Sequence, residues 1–301
     1  MWKRAALAVS VAAAAVAAWG ILVERNRFTL REHTLPILPA GHKPIRVLQL
    51  SDLHMAPWQR GKQEWIASLA RLRPDLVVGT GDFLGHARGL SGVARAIEPF
   101  RGIPGVFVNG SNDYFAPHFK NPLKYFLGPS KSPARPQRID TAGLLRLYAD
   151  LGWLDLNNAA AALNIKGTQI GFFGVDDAHK GYDDIDAATT ALPGLGAIDL
   201  AVGVTHAPYR RVLDAFTATG AALVCAGHTH GGQVCLPESL GGTLVTNCDL
   251  PRAQARGMSI WHVGTDAAAL NVSAGIGTSI TAPIRLFCPP EASLLTLIAS
   301  D

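Results

Sequence analysis

Five short apolar runs, each cut off by a polar turn, constrain this chain more than any other feature. Ile45 to Leu50 stops at Ser51-Asp52-Leu53-His54, Leu76 to Thr80 at Gly81-Asp82, and Gly105 to Asn109 at Gly110-Ser111-Asn112-Asp113. Further on, Leu200 to Thr205 stops at His206-Ala207-Pro208, and Ala221 to Ala226 at Gly227-His228-Thr229-His230. Runs this short and apolar read as buried strands. Between the first three lie helical stretches: Gln63 to Leu72, with Trp65, Ile66, Leu69 and Leu72 as the inner face and Pro74 as the stop, then Ser91 to Phe100. Strands alternating with helices predict a mainly parallel sheet covered by helices. Ligands of such sheets gather at the carboxyl ends of the strands, where these polar turns fall.

The rest of the chain extends the pattern. Ala142 to Leu151 and Arg210 to Ala218 read as helices, and Ala162 to Ile165 with Gln169 to Val175 as a hairpin. Thr243 to Thr246, Ala269 to Ala274 and Ser293 to Ala299 read as further strands, so the last half is a second sheet rather than a second domain. Tyr114 to Ile139, with Pro117, Pro122, Pro129, Pro133 and Pro136, reads as a long surface loop or cap near the site.

The turns carry the chemistry. His228 and His230, one residue apart after a strand, put both imidazoles on one side, and neutral imidazole is the commonest metal ligand among side chains. Alone, such a pair also fits polar residues decorating a turn, and Asp52 alone fits a helix cap. Asp52, His54, Asp82, Asn112, His206, His228 and His230 together, all at successive strand ends, do not reduce to those readings. Carboxylate, amide and imidazole donors without thiolates suit manganese, iron or zinc rather than a structural zinc. Their number suits two ions sharing a carboxylate. Asp176 and Asp177 follow the hairpin, and Asp177, one of two turn carboxylates, reads as structural.

The N-terminus is of another kind. Lys3 and Arg4 precede Ala5 to Val23, 19 residues without a charge, about the ~20 that a bilayer core requires. A cleaved signal peptide is the rival reading, with small residues around Ala15 to Ala18. The length of the run favours an uncleaved single-pass membrane anchor. Lys3 and Arg4 on one flank face Arg25, Arg27 and Arg31 on the other, so charge does not set its orientation. Glu24 to Lys43 reads as a polar connector. The expected organisation is therefore an anchor over 1–25, a linker over 26–43 and one domain over 44–301. A net charge of +4 with no Lys/Arg block gives a nucleic-acid role no support. Cys225, Cys235, Cys248 and Cys288 lack metal-site spacing and read as buried free thiols. If the domain is exported, Cys235 with Cys248 is the first pair to consider for a disulfide.

Asp52-x-His54, Gly81-Asp82, Gly110-Ser111-Asn112-Asp113, His206 and Gly227-His228-Thr229-His230 resemble, in order, the motifs of the calcineurin-like metallophosphoesterase superfamily. Gly227 to Gln233, the Val175-Asp176-Asp177 turn and the tail from Gly275-Ile276-Gly277-Thr278 to Cys288-Pro289-Pro290-Glu291 look like its membrane-associated bacterial branch of YkuE and YaeI type. The resemblance runs from about residue 44 to the end. It implies a four-layer α/β/β/α sandwich of two mixed sheets flanked by helices, here behind one transmembrane helix. It also implies two divalent ions, one held by Asp52, His54 and His230, the other by Asn112, His206 and His228, with Asp82 bridging. The implied activity is phosphoester hydrolysis, most simply of a diester, by in-line attack of a metal-bridging hydroxide.

One motif departs from the family. Its pattern is Gly-Asn-His-Asp, with Asn as ligand and His assisting as acid or charge stabiliser; here the slots hold Gly110-Ser111-Asn112-Asp113. Strict register makes Ser111 the ligand, whereas a one-residue slip makes it Asn112, whose amide oxygen is the better donor. Asn112 and Asp113 then stand at the catalytic positions without a histidine, and His118 in the next loop reads as a surface residue. The expected consequence is a preference for good leaving groups, or acid supplied by metal-coordinated water. The anchor points to a membrane or cell-envelope phosphoester, lipid-linked substrates included. The competing function is a non-catalytic metal-containing binding module on the same scaffold. Amide or lactam hydrolysis lacks the His-x-His-x-Asp-His signature.

Overall fold

The computed structural model describes residues 2–118, 129 and 137–300. Twelve strands form two six-stranded sheets among the described residues. In chain order they are β1 (Thr29–Leu38), β2 (Ile45–Leu50), β3 (Leu76–Gly79), β4 (Gly105–Phe107), β5 (Trp153–Asp155), β6 (Ala159–Ile165), β7 (Thr168–Gly174), β8 (Leu200–Val204), β9 (Leu223–Ala226), β10 (Gly257–Val263), β11 (Asp266–Val272) and β12 (Glu291–Ala299). The helices are α1 (Trp2–Ala18), α2 (Arg60–Ser68), α3 (Leu90–Ile97), the single turn α4 (Ser111–Tyr114), α5 (Thr141–Leu151), α6 (Ile185–Ala191) and α7 (Arg210–Ala218). One sheet runs β1-β12-β2-β3-β4-β5 and the other β10-β11-β9-β8-β7-β6.

The residues explain the layering. β2, β3 and β9 are almost wholly buried, as apolar strands covered on both faces must be. Val47, Val78, Val106 and Leu295 of the first sheet pack on Ile170, Phe172, Val202 and Leu223 of the second, filling the space between them. Leu48, Leu50 and Phe107 face outward onto Ile66, Val93 and Leu144 of α2, α3 and α5. Phe173 and Val224 of the second sheet face Ala188, Val212 and Phe216 of α6 and α7. The result is the expected helix–sheet–sheet–helix sandwich, its two sheets mixed. β2, β3 and β4 are parallel neighbours, as are β8 and β9, so their carboxyl ends lie at one edge of the sandwich.

Two expectations need correction. The connector read over 26–43 contains β1, which pairs in parallel with β12 from Thr29 to Leu38 at the sheet edge. Arg31, Glu32, Thr34 and Pro36 are exposed along it, which hid the strand in a polar composition. Thr243 to Thr246 is a loop, held by the Thr243 hydroxyl donating to the Gly231 carbonyl, while β10 and β5, not foreseen, are strands. The four cysteines are free thiols, as expected, with Cys248 only half-buried, and Cys235 clusters with Cys288 and Ala274 rather than with Cys248. Most of the proline-rich loop read over Tyr114 to Ile139 lies outside the described residues; its two ends pair through Phe115 and Arg138.

Residues Trp2–Asn26 form one helix of 25 residues, with an 18-residue stretch of mean hydropathy 2.3, long and apolar enough to cross a membrane. It ends in a π-helical turn, Trp19–Val23, and a 3-10 turn, Glu24–Asn26.

Candidate metal centre

The donor residues stand where the apolar runs end. Asp52 and His54 follow β2, Asp82 follows β3, Asn112 opens α4 after β4, His206 follows β8, and His228 with His230 follows β9. Two sheets therefore deliver one cluster. Backbone bonds stitch the turns together: Asp52 N–H donates to Gly81 O and His54 N–H to Asp82 O, both at 2.9 Å, and Gly227 N–H donates to His206 O at 2.9 Å. Gln49 reaches across, its amide donating to the Ala226 carbonyl at 2.8 Å, and Asn271 of β11 donates to Gln49 at 2.8 Å.

The backbone is strained here. Asp52, His54, Asp82, His228 and His230 have φ of 50°, 41°, 55°, 69° and 50°. Left-handed φ is uncommon for such residues and is tolerated where the surroundings over-determine it, as at functional sites. Gly227 is required for a different reason. A Cβ there would lie 2.0 Å from the Ser51 hydroxyl and 2.5 Å from Asp52 Oδ2.

Three donor atoms converge in one group: His54 Nε2 lies 3.0 Å from His230 Nε2, and Asp52 Oδ1 lies 3.4 Å from His230 Nε2 and 3.9 Å from His54 Nε2. Ligand bonds of about 2.1 Å around one small divalent ion place donors roughly 3.0–3.4 Å apart, so the group fits such an ion. Asp52 supports the same reading. Its Oδ2 accepts from Ser51 Oγ and His228 N–H, while Oδ1 is buried with no partner, an expensive arrangement unless a cation completes it. Asp82 Oδ2 lies 3.5 Å from His54 Nε2 and 3.7 Å from His206 Nε2, between the two imidazoles. His228 Nδ1 lies 3.3 Å from His206 Nε2. Asp52, His54 and His230 thus form one group with metal-ligand spacing, and Asp52, Asp82 and His206 a second.

The far ring nitrogens fix the near ones. His206 Nδ1 lies 2.8 Å from the Thr80 carbonyl and His228 Nε2 3.2 Å from that of Asn247. A proton donated to the Thr80 carbonyl leaves His206 Nε2 as a lone pair in the cluster, whereas His228 Nε2 also has the Asn247 side-chain amide at 3.2 Å. Burial pushes His54 down to about 4, and burial with neighbouring imidazoles holds His228 and His230 well below the usual range. These are neutral rings, the form that binds metal. His206 differs: burial opposes its charge, but Asp82, Asp52 and Asp177 prevail and raise it to about 9. Burial likewise pushes Asp52 up to about 6. Asp82 is lowered, because His206 and His54 outweigh its burial.

The altered motif resolves into three jobs. Asn112 lies against Asp82, its backbone N–H on Oδ1 at 2.7 Å and its side-chain amide 2.6 Å from Oδ2. Ser111 turns away, and its hydroxyl donates to Asp177, a buried carboxyl that burial pushes up to about 6. Asp113, expected at a catalytic position, is instead fully buried and clamps backbone. Its Oδ2 accepts the N–H of Asp82 at 2.7 Å and of Gly110 at 3.0 Å, and its Oδ1 that of Leu84 at 3.0 Å. Both of its oxygens are spent on positioning the loop that carries Asp82.

Two residues around the cluster escaped the sequence reading. His179 packs against His228, ring centroids 4.6 Å apart and planes tilted by 42°, and contacts the Tyr209 hydroxyl at 3.0 Å; its place two residues after Asp177 was the available signal. Arg285 is fully buried, donating to the carbonyls of Ala274, Gly275 and Gly277 at 2.7, 3.0 and 2.7 Å, with Nη2 3.4 Å from His230 Nδ1. No local pattern marks it. The His118 carbonyl accepts from the Thr281 hydroxyl.

Two facing sheets with histidine, aspartate and asparagine donors at their joint edge define a metal-dependent phosphoesterase. The comparisons agree: the calcineurin-like phosphoesterase family matches over residues 45–232. The chain belongs to that family, and it is a metal-dependent phosphoester hydrolase. Among its relatives, YpbG of Bacillus subtilis is 27% identical over 97% of this chain and 96% of its own length. YkuE of Bacillus subtilis, named a metallophosphoesterase, is 24% identical over 93% of this chain and 88% of its own. Among solved structures, TT1561 of Thermus thermophilus covers 78% of this chain and 91% of its own at 13% identity, with a TM-score of 0.45.

Proposed function

We propose that the protein is a dinuclear metal phosphodiesterase, anchored by its N-terminal helix and acting on a phosphoester of the membrane or cell envelope. The observation that carries this is Asp82 Oδ2, set between two imidazoles, 3.5 Å from His54 Nε2 and 3.7 Å from His206 Nε2. Asp52, His54 and His230 would hold one ion, Asn112, His206 and His228 the other, and Asp82 would bridge. Ser111 is committed to Asp177, which favours Asn112 as the amide ligand; the ligating atom is then its oxygen, with the amide turned over.

When bound, two divalent ions of manganese, iron or zinc type acidify water and stabilise charge on the phosphoryl, attacking and leaving oxygens. The chain does the rest. Thr80 holds the tautomer of His206, Asn247 positions the His228 ring, Asp113 fixes the Asp82 loop, and Gly227 lets Asp52 approach the second sheet. No imidazole stands in the slot before Asp113 to protonate a leaving group, so esters of acidic alcohols are the favoured substrates.

The test is metal content and hydrolysis of bis-p-nitrophenyl phosphate and p-nitrophenyl phosphate by the full-length protein in detergent, in manganese, iron and zinc. Two ions per chain, a faster diester, and both ions and turnover disturbed in Asp82→Asn and Asn112→Ala are expected. Metal without turnover on either ester would leave a binding module, and no metal would undo the reading.

A further inference from the structure

The N-terminal helix does not hang from the domain on a flexible tether. Its last turns dock on residues 283–288: Gly20 O accepts the Arg285 N–H at 3.2 Å, and a Cβ on Gly20 would meet Arg285 O at 2.7 Å and Ile284 Cγ1 at 2.9 Å. Glu24 Oε1 accepts the Cys288 N–H at 2.8 Å, its Oε2 accepts from Trp19 Nε1 at 3.2 Å, and Arg25 donates to Pro283 O. Arg285 thereby touches the helix through its backbone and the His230 loop through its guanidinium.

Strand direction sets the same geometry independently. β12 is antiparallel to β2, so Glu291 starts at the carboxyl end of β2, where Asp52 follows. β1 is parallel to β12 with Thr29 opposite Glu291, so the chain leaves the helix at the metal-centre end and runs away from it. The hairpin turn between β6 and β7 lies at the opposite end, because β7 is parallel to β8 and starts there.

The surface beside the docked helix exposes apolar side chains around one ion pair, that of Glu238 with Arg256. Val234, Leu236, Leu240 and Phe287 are 37%, 39%, 66% and 50% exposed. They sit on loops joined by Cys235 N–H to Leu286 O and Leu286 N–H to Gln233 O. Charge and aromatic placement complete the pattern. Trp2 and Trp19 stand 17 residues apart on the helix, about 26 Å at the α-helical rise, close to the ~30 Å of a hydrocarbon core, and tryptophan favours its two boundaries. Trp19 marks the boundary on the domain's side, with Arg25 and Arg27 just beyond it to meet anionic headgroups.

We propose that the surface formed by residues 233–242 and 280–288 rests in the headgroup layer of the bilayer that the helix crosses, so that the metal centre serves phosphoesters held in that layer. This rests on the phosphoesterase and anchor readings above. It makes the substrate a lipid-borne ester and the apolar loops its route of access.

The experiment uses the full chain in vesicles of phosphatidylcholine and phosphatidylglycerol. Bimane is attached at Leu236→Cys, Leu240→Cys and, at the opposite end, Asn164→Cys, with labelled wild type as background. Headgroup-level spin-labelled lipid should quench the first two labels and not the third; no quenching at 236 and 240, or equal quenching at all three, overturns the docking surface. Substrate class is read with two esters sharing one leaving group, hexadecyl p-nitrophenyl phosphate in the vesicles and ethyl p-nitrophenyl phosphate in water. The double variant Leu236→Glu/Leu240→Glu should lose about tenfold on the hexadecyl ester, the weight of roughly one apolar side chain withdrawn from the interface, and keep its rate on the ethyl ester. Equal loss on both, or none, overturns the lipid substrate. Wild type inactive on both esters would instead fail the phosphoesterase reading, and the quenching pattern would still decide the docking.

Discussion

Replacing Asp113 by alanine separates a positioning residue from a catalytic one. Three backbone N–H groups, of Asp82, Gly110 and Leu84, end on this one carboxyl, and the residue is fully buried. A buried donor stripped of its acceptor costs about 1–3 kcal/mol, so three cost roughly 3–9 kcal/mol. Asp113 is also pushed up to about 7 by burial and by repulsion from Asp82, and relief of that repulsion returns part of the loss. The lower end, about 3 kcal/mol, is therefore expected, which for a domain of this size lowers the melting temperature by about 6 °C. Asp113→Asn keeps one oxygen, enough for the N–H groups of Asp82 and Gly110, and should fall between wild type and Asp113→Ala. Thermal melting in detergent is read beside metal content, and both should drop in the same order because the clamped loop carries Asp82. An alanine variant that melts within about 2 °C of wild type, keeps its metal and loses only turnover would refute the clamp and restore a catalytic role.

Other outcomes follow from the same geometry. Gly227→Ala drives a methyl group into Ser51 and Asp52, so metal content should fall while the cores remain folded; full loading by metal analysis would contradict this. Lys62 is buried, donating to Leu53 O at 2.7 Å, and burial with Arg285 and Arg25 lowers it from 10.5 to about 7. The unfolded lysine takes its proton first, so stability falls as pH drops from about 10.5 to 7, by up to ~1.4 kcal/mol per pH unit, and is flat below. Lys62→Met should abolish that slope in melting curves between pH 7 and 9.5, and an unchanged slope would assign it elsewhere. Rates should fall steeply as the leaving alcohol becomes less acidic, with His118→Ala unaffected. Normal rates on alkyl esters together with an unaffected His118→Ala would contradict the missing-acid argument.

Much of the fold was legible because its buried strands announce themselves. β2, β3, β8 and β9 are covered on both faces, and their apolar runs end within a residue or two of the structural boundaries. α7 was read residue for residue, since an amphipathic helix writes its buried face into the sequence. Edge strands do not. β1 and β10 keep one face in solvent, so their composition resembles a connector. Thr243 to Thr246 misled in the other direction, a β-branched stretch that tertiary contacts hold as a loop.

The sequence by itself determined the donor types and their order, because each sits immediately after a strand whose end is fixed by local pattern. Only the tertiary structure decided which donors face one another. Asp82 Oδ2 meets both His54 and His206 because two sheets, distant in sequence, share one edge. Asp113 holds backbone, and Ser111 turns to Asp177, through contacts that no spacing encodes. Arg285 and the docked end of the N-terminal helix belong to the same class. Their partners lie more than 50 or 250 residues away in sequence, and proximity of that kind exists only once the chain has closed on itself.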